Sequence, residues 1–75
     1  MMRLNVRLRG QDAVRRFVGI TSRYGADMEL ASGNYSVDAK SILGIFSMDL
    51  NKPIELRVSE EIDSLRHELK DFIAA

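Results

Sequence analysis

The sequence contains no cysteine, one proline and one histidine. Without cysteine there is no disulfide framework, no thiolate nucleophile and no cysteine zinc site, so stability must come from packing, as is usual in the cytoplasm. No metal site follows from the single histidine, and no hydrolase constellation is visible. Uncharged apolar residues nowhere run long enough for a signal peptide or a membrane span. We therefore expect a soluble cytoplasmic protein that uses no metal or other cofactor and does not attach to membranes.

The length and composition are those of an ordinary small folded domain. The chain has 75 residues, of which 45% are hydrophobic and 29% are charged, and it has no low-complexity tract, internal repeat or linker. We expect a single domain over residues 1–75. A core of this size leaves little room for a large internal active-site cavity, and we predict that the protein is not an enzyme.

Positive charge is concentrated near the N-terminus although the net charge is zero. The first 25 residues hold one acidic residue, Asp12, and six arginines: Arg3, Arg7, Arg9, Arg15, Arg16 and Arg23. This asymmetry indicates either a basic face for an acidic partner or two halves of the chain that pair with each other. The zero net charge and the small number of aromatic residues, mostly on predicted core faces, argue against nucleic-acid binding.

Hydrophobic periodicity predicts the order strand, helix, strand, strand, helix, strand, helix. Alternation from Arg3 to Arg9 predicts the first strand, and the first helix is expected to begin with Asp12 as its N-cap and to end at Gly25. Turn residues at positions 32–34 predict a hairpin of strands two and three, whose second strand resumes the alternation at Tyr35 and Val37.

The second half of the chain completes this order. Ser41 is expected to cap a short helix. The fourth strand is predicted over the alternating residues 54–58, and the last helix is expected to start at Ser59. The buried stripe of that helix is predicted to comprise Ile62, Leu65, Leu69, Phe72 and Ile73. A sheet with all its helices on one face buries these stripes in two layers, which predicts an α+β fold.

The second helix has more apolar residues than one buried face can hold. We predict that Ile45 and Met48 belong to the core, whereas some of Ile42, Leu43 and Phe46 stay exposed. An exposed apolar patch usually marks a surface for a partner.

The segment from Val37 to Met48 resembles the histidine-containing phosphocarrier protein HPr around its regulatory serine, with Lys-Ser-Ile and a glycine at matching places. Phe17-Val18 and the strand at 27–30 are also similar to that family, and the order of elements is the same. The resemblance implies an HPr-like open-faced sandwich, in which a four-stranded antiparallel sheet of order 1-4-2-3 carries three helices on one face.

The chain departs from this family at the phosphoryl site. HPr proteins carry Gly-x-His-Ala-Arg-Pro at the start of the first helix. Counting back from Phe17 without gaps places Gly10 at the histidine position, whereas matching the motif's glycine and alanine places Asp12 there. Glycine has no side chain that could accept a phosphoryl group. Asp12 would either accept it as an acyl phosphate or serve only as a helix N-cap. His67, in the last helix, is expected to be an exposed surface residue.

The resemblance also implies roles for residues around the second helix. Ser41 would be phosphorylated by an ATP-dependent kinase, at a helix N-terminus with Lys40 beside it, unless it is only an N-cap. The residues implied to contact partners are Arg15, Arg16, Lys40, Ile42, Leu43 and Phe46.

These observations predict an HPr-like regulatory or adaptor protein related to the phosphoenolpyruvate-dependent sugar phosphotransferase system, without competence as a histidine phosphocarrier. Its partners would be other proteins, such as an HPr serine kinase or a transcriptional regulator, and the chain would be a monomer or a weak homodimer. The alternative is a protein- or ligand-binding α/β module unrelated to phosphotransfer, since small α/β folds host many functions.

Overall fold

The computed structural model describes residues 1–74, so Ala75, the last residue of the predicted domain, lies outside the described residues. The elements follow the predicted order. They are β1 (Met2–Val6), α1 (Gln11–Thr21), β2 (Met28–Ser32), β3 (Tyr35–Asp38), α2 (Ile42–Phe46), β4 (Ile54–Val58) and α3 (Asp63–Glu68), followed by a 3-10 turn (Lys70–Phe72).

The four strands form one antiparallel sheet of order β1-β4-β2-β3, as predicted. The central strand β4 places Leu56 opposite both Leu4 of β1 and Leu30 of β2. The β2-β3 hairpin turns through Gly33, whose φ of 60° is in the left-handed region that glycine enters without a steric penalty. The predicted hairpin is therefore confirmed.

The core lies between one face of the sheet and the helices, which confirms the two-layer α+β architecture. Alternate residues of β1, β2 and β4 are buried together with apolar residues of the helices. The rings of Phe17 in α1 and Phe72 in the 3-10 turn meet edge to face, with centroids 5.9 Å apart. This contact fixes the C-terminal turn against α1.

The opposite face of the sheet carries paired charges. Arg57 donates from Nε to Glu55 at 2.6 Å and from Nη1 to Glu29 at 3.4 Å. The hydrogen bond from Arg57 holds the pKa of the Glu55 carboxyl below its usual range, and burial opposes this effect only in part. These charges satisfy one another within the sheet.

Three predicted boundaries in the first half are wrong. β1 ends at Val6 instead of continuing to Arg9. Asp12 is not the N-cap of α1, because the helix already starts at Gln11 with Gly10 in the N-cap position. The helix ends at Thr21, before Gly25. After it, the Arg23 and Tyr24 N–H groups donate to carbonyls three residues back, which is the hydrogen bonding of a tight turn and not of an α-helix. The glycine was a plausible terminator at the wrong position.

The predicted last helix also needs correction. Ser59 does not begin it; the Ser59 hydroxyl accepts a hydrogen bond from the Asp27 backbone N–H at 3.1 Å, and α3 starts only at Asp63. Ile73 does not belong to the buried stripe, because the helix has ended by Glu68 and Ile73 is 39% exposed. Its backbone bridges to Val6 at the end of β1 instead.

Candidate functional site

The helix α2 is held in place by its first turn. The Ser41 hydroxyl accepts a hydrogen bond from the Gly44 backbone N–H at 3.1 Å, which confirms the predicted N-cap. Gly44 faces β3 so closely that an added Cβ would lie 3.3 Å from the Val37 Cβ. The short helix therefore sits directly on the edge strand.

Three apolar side chains of α2 lie at the surface. Leu43 is 85% exposed, Phe46 42% and Ile42 39%. Ile45 is fully buried, and Met48, just after the helix, is also in the core. The predicted division between exposed and core residues is confirmed. We call Ile42, Leu43 and Phe46 the α2 surface. Phe46 follows Leu43 by three residues and Ile42 by four, which places the three side chains on one side of the helix.

Tyr35 lies beside the end of α2, a position that the sequence did not reveal. Its ring is half exposed, and its hydroxyl lies 2.6 Å from the hydroxyl of Ser47, the C-cap residue of α2. The alternation of Tyr35 and Val37 in β3 predicts that the Tyr35 side chain faces the core, and this prediction is wrong. A four-residue edge strand is too short for its period to decide which face is covered.

Two polar contacts connect α1 to the segment before α2. The buried Thr21 hydroxyl donates to the Ala39 carbonyl at 3.0 Å. The Lys40 ammonium donates to the Tyr24 carbonyl at 2.6 Å, in the turn after α1. Lys40 therefore has a structural contact at the end of α1, and its charge does not stand free beside Ser41.

The two predicted arginines of α1 have different surroundings. Successive helical side chains point about 100° apart. The Arg16 guanidinium lies 5.2 Å from the centroid of the Phe72 ring, toward the C-terminal segment. Arg15 is exposed and makes no hydrogen bond or ion pair with any residue in the range 1–74. Of these two arginines, Arg15 is therefore the one with no partner among residues 1–74 to give up on binding.

The two candidates for the family's histidine position lie at the start of α1. Gly10 directly precedes the helix with a φ of 93°, and Asp12 is an exposed residue of its first turn. His67 is exposed in α3, as predicted. Among residues 1–74, no group of three or more histidines and acidic residues is arranged to hold a metal ion. The helices in this range are also too short or too polar to cross a membrane.

Comparison with solved structures identifies the fold. HPr-C-His from Thermoanaerobacter tengcongensis matches with a TM-score of 0.76 and 20% identity, over 95% of this chain and 89% of that one. The phosphocarrier protein HPr from Bacillus anthracis str. Ames matches with a TM-score of 0.69 and 24% identity, over 97% of this chain and 94% of that one. Neither a protein-family model nor a curated protein sequence matches this chain. The structural likeness shows that the chain has the HPr-like fold.

Proposed function

We propose that this chain is a regulatory or adaptor protein related to the phosphoenolpyruvate-dependent sugar phosphotransferase system, and that it is not a histidine phosphocarrier. It docks other proteins through the α2 surface, and Ser41 is its phosphorylation site. The observation that carries the proposal is the exposure of three neighbouring apolar side chains on a helix whose anchor, Ile45, is already fully buried. Clustered exposed apolar residues are typical of interaction sites.

The residue types in the chain argue against histidine phosphotransfer. A phosphocarrier histidine needs a nucleophilic imidazole that can both accept and release the phosphoryl group near neutral pH. The one histidine, His67, lies in α3, whereas the family motif belongs at the start of the first helix, where this chain has Gly10 and Asp12. Glycine has no nucleophilic side chain, and an aspartyl phosphate would need machinery that nothing around Asp12 supplies.

The surroundings of Ser41 are compatible with phosphorylation. Its hydroxyl oxygen accepts the Gly44 N–H, and a phosphate oxygen can accept the same hydrogen bond. Negative charge in the first turn of a helix is also favoured by the unpaired backbone N–H groups there. The resemblance of residues 37–48 to the HPr regulatory segment supports this role for Ser41. Without phosphorylation, Ser41 is only a helix cap.

The α2 surface has the features of a docking site for a protein. Leu43 projects furthest into solvent, with Ile42 and Phe46 beside it and Tyr35 at the end of the helix. Binding would bury an aromatic and aliphatic centre, the arrangement that supplies most of the affinity in protein interfaces. Arg15 adds an unpaired charge on α1, which touches α2.

Intact-mass spectrometry tests both parts of the phosphorylation proposal. The protein is incubated either with phosphoenolpyruvate and the general phosphotransferase enzyme, or with ATP and an HPr serine kinase. We expect one phosphate from ATP and none from phosphoenolpyruvate. The ATP-dependent phosphate should disappear in Ser41→Ala and persist in Ser47→Ala, which removes the hydroxyl at the other end of α2. Phosphate from phosphoenolpyruvate would contradict the absence of phosphocarrier function, and no phosphate from ATP would contradict the role of Ser41.

The docking role is tested by the initial rate of phosphorylation by the same kinase. Leu43→Ser should reduce this rate, because it removes apolar area from the α2 surface without touching Ser41. Ile73→Ser is the matched control, since Ile73 is also an exposed apolar residue, at 39%, and lies in the C-terminal segment outside α2. Equal rates for the two variants would argue against docking through α2. Circular dichroism before the assay confirms that both variants are folded.

A further inference from the structure

An open groove with a volume of about 430 Å³ lies between the end of β1, α1 and the C-terminal segment. Arg7 and Arg9 line it from the chain that follows β1, Arg16 lines it from α1, and Asp71 and Phe72 line it from the 3-10 turn. We call this the arginine groove. Its lining includes no residue of α2, so it is separate from the α2 surface. It does include Ala13 in the first turn of α1, so the groove adjoins the start of that helix.

The backbone around the groove is fixed by hydrogen bonds. The Arg7 N–H donates to the Phe72 carbonyl at 2.7 Å, and the Ala74 N–H donates to the Asn5 carbonyl at 2.8 Å. The C-terminal segment thereby continues alongside β1. Alternation also persists beyond β1, with Leu8 buried. The backbone from which the Arg7 side chain extends is therefore held by its pairing with the C-terminal segment.

The charges in the groove are not balanced within the chain. Three arginines and one acidic residue, Asp71, line the groove, and none of the three arginines forms an ion pair with any residue in the range 1–74. Arg7 uses Nη2 for the Asn51 carbonyl, and Arg16 lies over the Phe72 ring. Both contacts leave other N–H donors of the guanidinium available. Arg9 is exposed and has no hydrogen-bond partner among the described residues.

We propose that the arginine groove binds the phosphate group of a small molecule. Guanidinium groups match phosphate oxygens in pairs of parallel hydrogen bonds, and several arginines around one concave site are suited to a dianion. The volume is within the range of small-molecule sites, about 300 to 1,000 Å³. Phe72, Ile73 and Pro53 provide apolar surface in the same groove for the carbon part of such a molecule. The inference does not depend on the proposed regulatory function.

Binding is tested by titration at low ionic strength, followed by ¹H–¹⁵N correlation spectra of the backbone amides and the arginine Nε–H groups. The probes are inorganic phosphate and glycerol 3-phosphate, with malonate as a dianion that has no phosphate. We expect saturable shifts for residues 7–16 and 70–74 with both phosphates, and much weaker shifts with malonate. Tighter binding of glycerol 3-phosphate would identify an organic phosphate as the ligand, whereas equal binding would identify free phosphate.

Charge-matched variants locate the site. Arg9→Gln and Arg16→Gln should each raise the phosphate Kd about tenfold, the effect of losing one hydrogen bond to a charged group. Arg15→Gln removes the same charge from the adjacent helix position outside the groove and should leave the Kd nearly unchanged. Since Arg16 also stacks on Phe72, Arg9→Gln provides the test without a possible effect on folding.

Three results would overturn the inference. The first is that neither phosphate produces saturable shifts. The second is that malonate binds as well as phosphate. The third is that Arg15→Gln weakens binding as much as Arg9→Gln does. A fourth arm uses a short single-stranded oligothymidylate. Much tighter binding of this oligonucleotide, lost in Arg9→Gln, would assign the groove to nucleic acid and also overturn the inference.

Discussion

The helices α1 and α2 pack on the same sheet but are stabilised in different ways. The helix α1 has eleven residues, buries Val14, Phe17 and Thr21, and has no side-chain hydrogen bond at its N-cap. The helix α2 has five residues, buries only Ile45, and has Ser41 as an N-cap. Burial thus stabilises the longer helix, whereas local hydrogen bonds and one anchor residue stabilise the shorter one.

This difference explains how α2 can leave apolar residues in water. Helices as short as α2 are not stable on their own, so α2 needs its cap and its contact with the sheet. Neither of these involves Ile42, Leu43 or Phe46. The α2 surface is therefore available to a partner without loss of internal packing. In α1, by contrast, removal of the buried apolar residues would remove the core contacts that stabilise the helix.

The largest expected effect separates two phenylalanines, one in each helix. Phe17→Ala should lower the free energy of unfolding by about 3 to 5 kcal/mol, because Phe17 is fully buried and contacts Phe72. Phe46→Ala should lower it by only about 1 to 2 kcal/mol, because its side chain is already 42% exposed and loses less buried apolar area. Urea denaturation followed by circular dichroism measures both values.

A similar loss in the two variants would break the comparison. It would mean that Phe46 contributes to the core, and the α2 surface would then lose one of its three members. If Phe17→Ala does not fold at all, Phe17→Leu, which keeps most of the apolar volume, serves in its place. Its loss should exceed that of Phe46→Leu, the same change at the partly exposed site.

A smaller effect is expected at the N-termini of the two helices. Ser41→Ala should destabilise the protein by about 1 kcal/mol, because the Gly44 N–H loses its acceptor. Asp12→Ala should cost less than about 0.5 kcal/mol, because Asp12 makes no capping hydrogen bond and only places a charge in the first turn of α1. Ser41→Asp, which keeps an acceptor, should recover most of the stability. A larger loss for Asp12→Ala would show that α1 does depend on its N-terminus.

The element order and the division within α2 were predictable from sequence patterns, whereas the sheet order was implied only by the resemblance to HPr. Alternation in β1 and β4 reports burial on one face directly, and the surplus of apolar residues at 42–48 indicated an exposed group before any coordinates. Ser41 was predictable because its side chain acts within its own turn. These features depend on residues close together in the chain.

Some contacts could not be predicted because the partners are distant in the chain. Ser59 has the side chain of a helix cap, but its hydroxyl is taken by the Asp27 N–H from the start of β2. Lys40 stood beside Ser41 in sequence, yet its ammonium is held by the Tyr24 carbonyl. The arginine groove forms because the C-terminal segment pairs with the end of β1 and the residue after it, and no local sequence pattern predicts this pairing. Individual residues of these contacts are visible in the sequence, but their pairing is not.

The smallest expected effect compares a glycine in each helix. Gly19 of α1 is exposed, and an added Cβ would meet nothing within 4 Å. Gly19→Ala should therefore raise the free energy of unfolding by about 0.5 to 1 kcal/mol, the difference in helix propensity. An added Cβ on Gly44 would lie 3.3 Å from both the Ser41 Oγ and the Val37 Cβ, so Gly44→Ala should give no gain or a loss.

Thermal or urea unfolding of both variants, side by side, decides between two reasons for glycine in α2. If Gly44→Ala stabilises the protein as much as Gly19→Ala does, the close approach of α2 to β3 is not what the glycine serves. If it destabilises the protein while Gly19→Ala stabilises it, the glycine lets α2 lie directly on the edge strand. That position orients Ile45 into the core and the α2 surface outward. The docking surface would then depend on the absence of one side chain as much as on the presence of three.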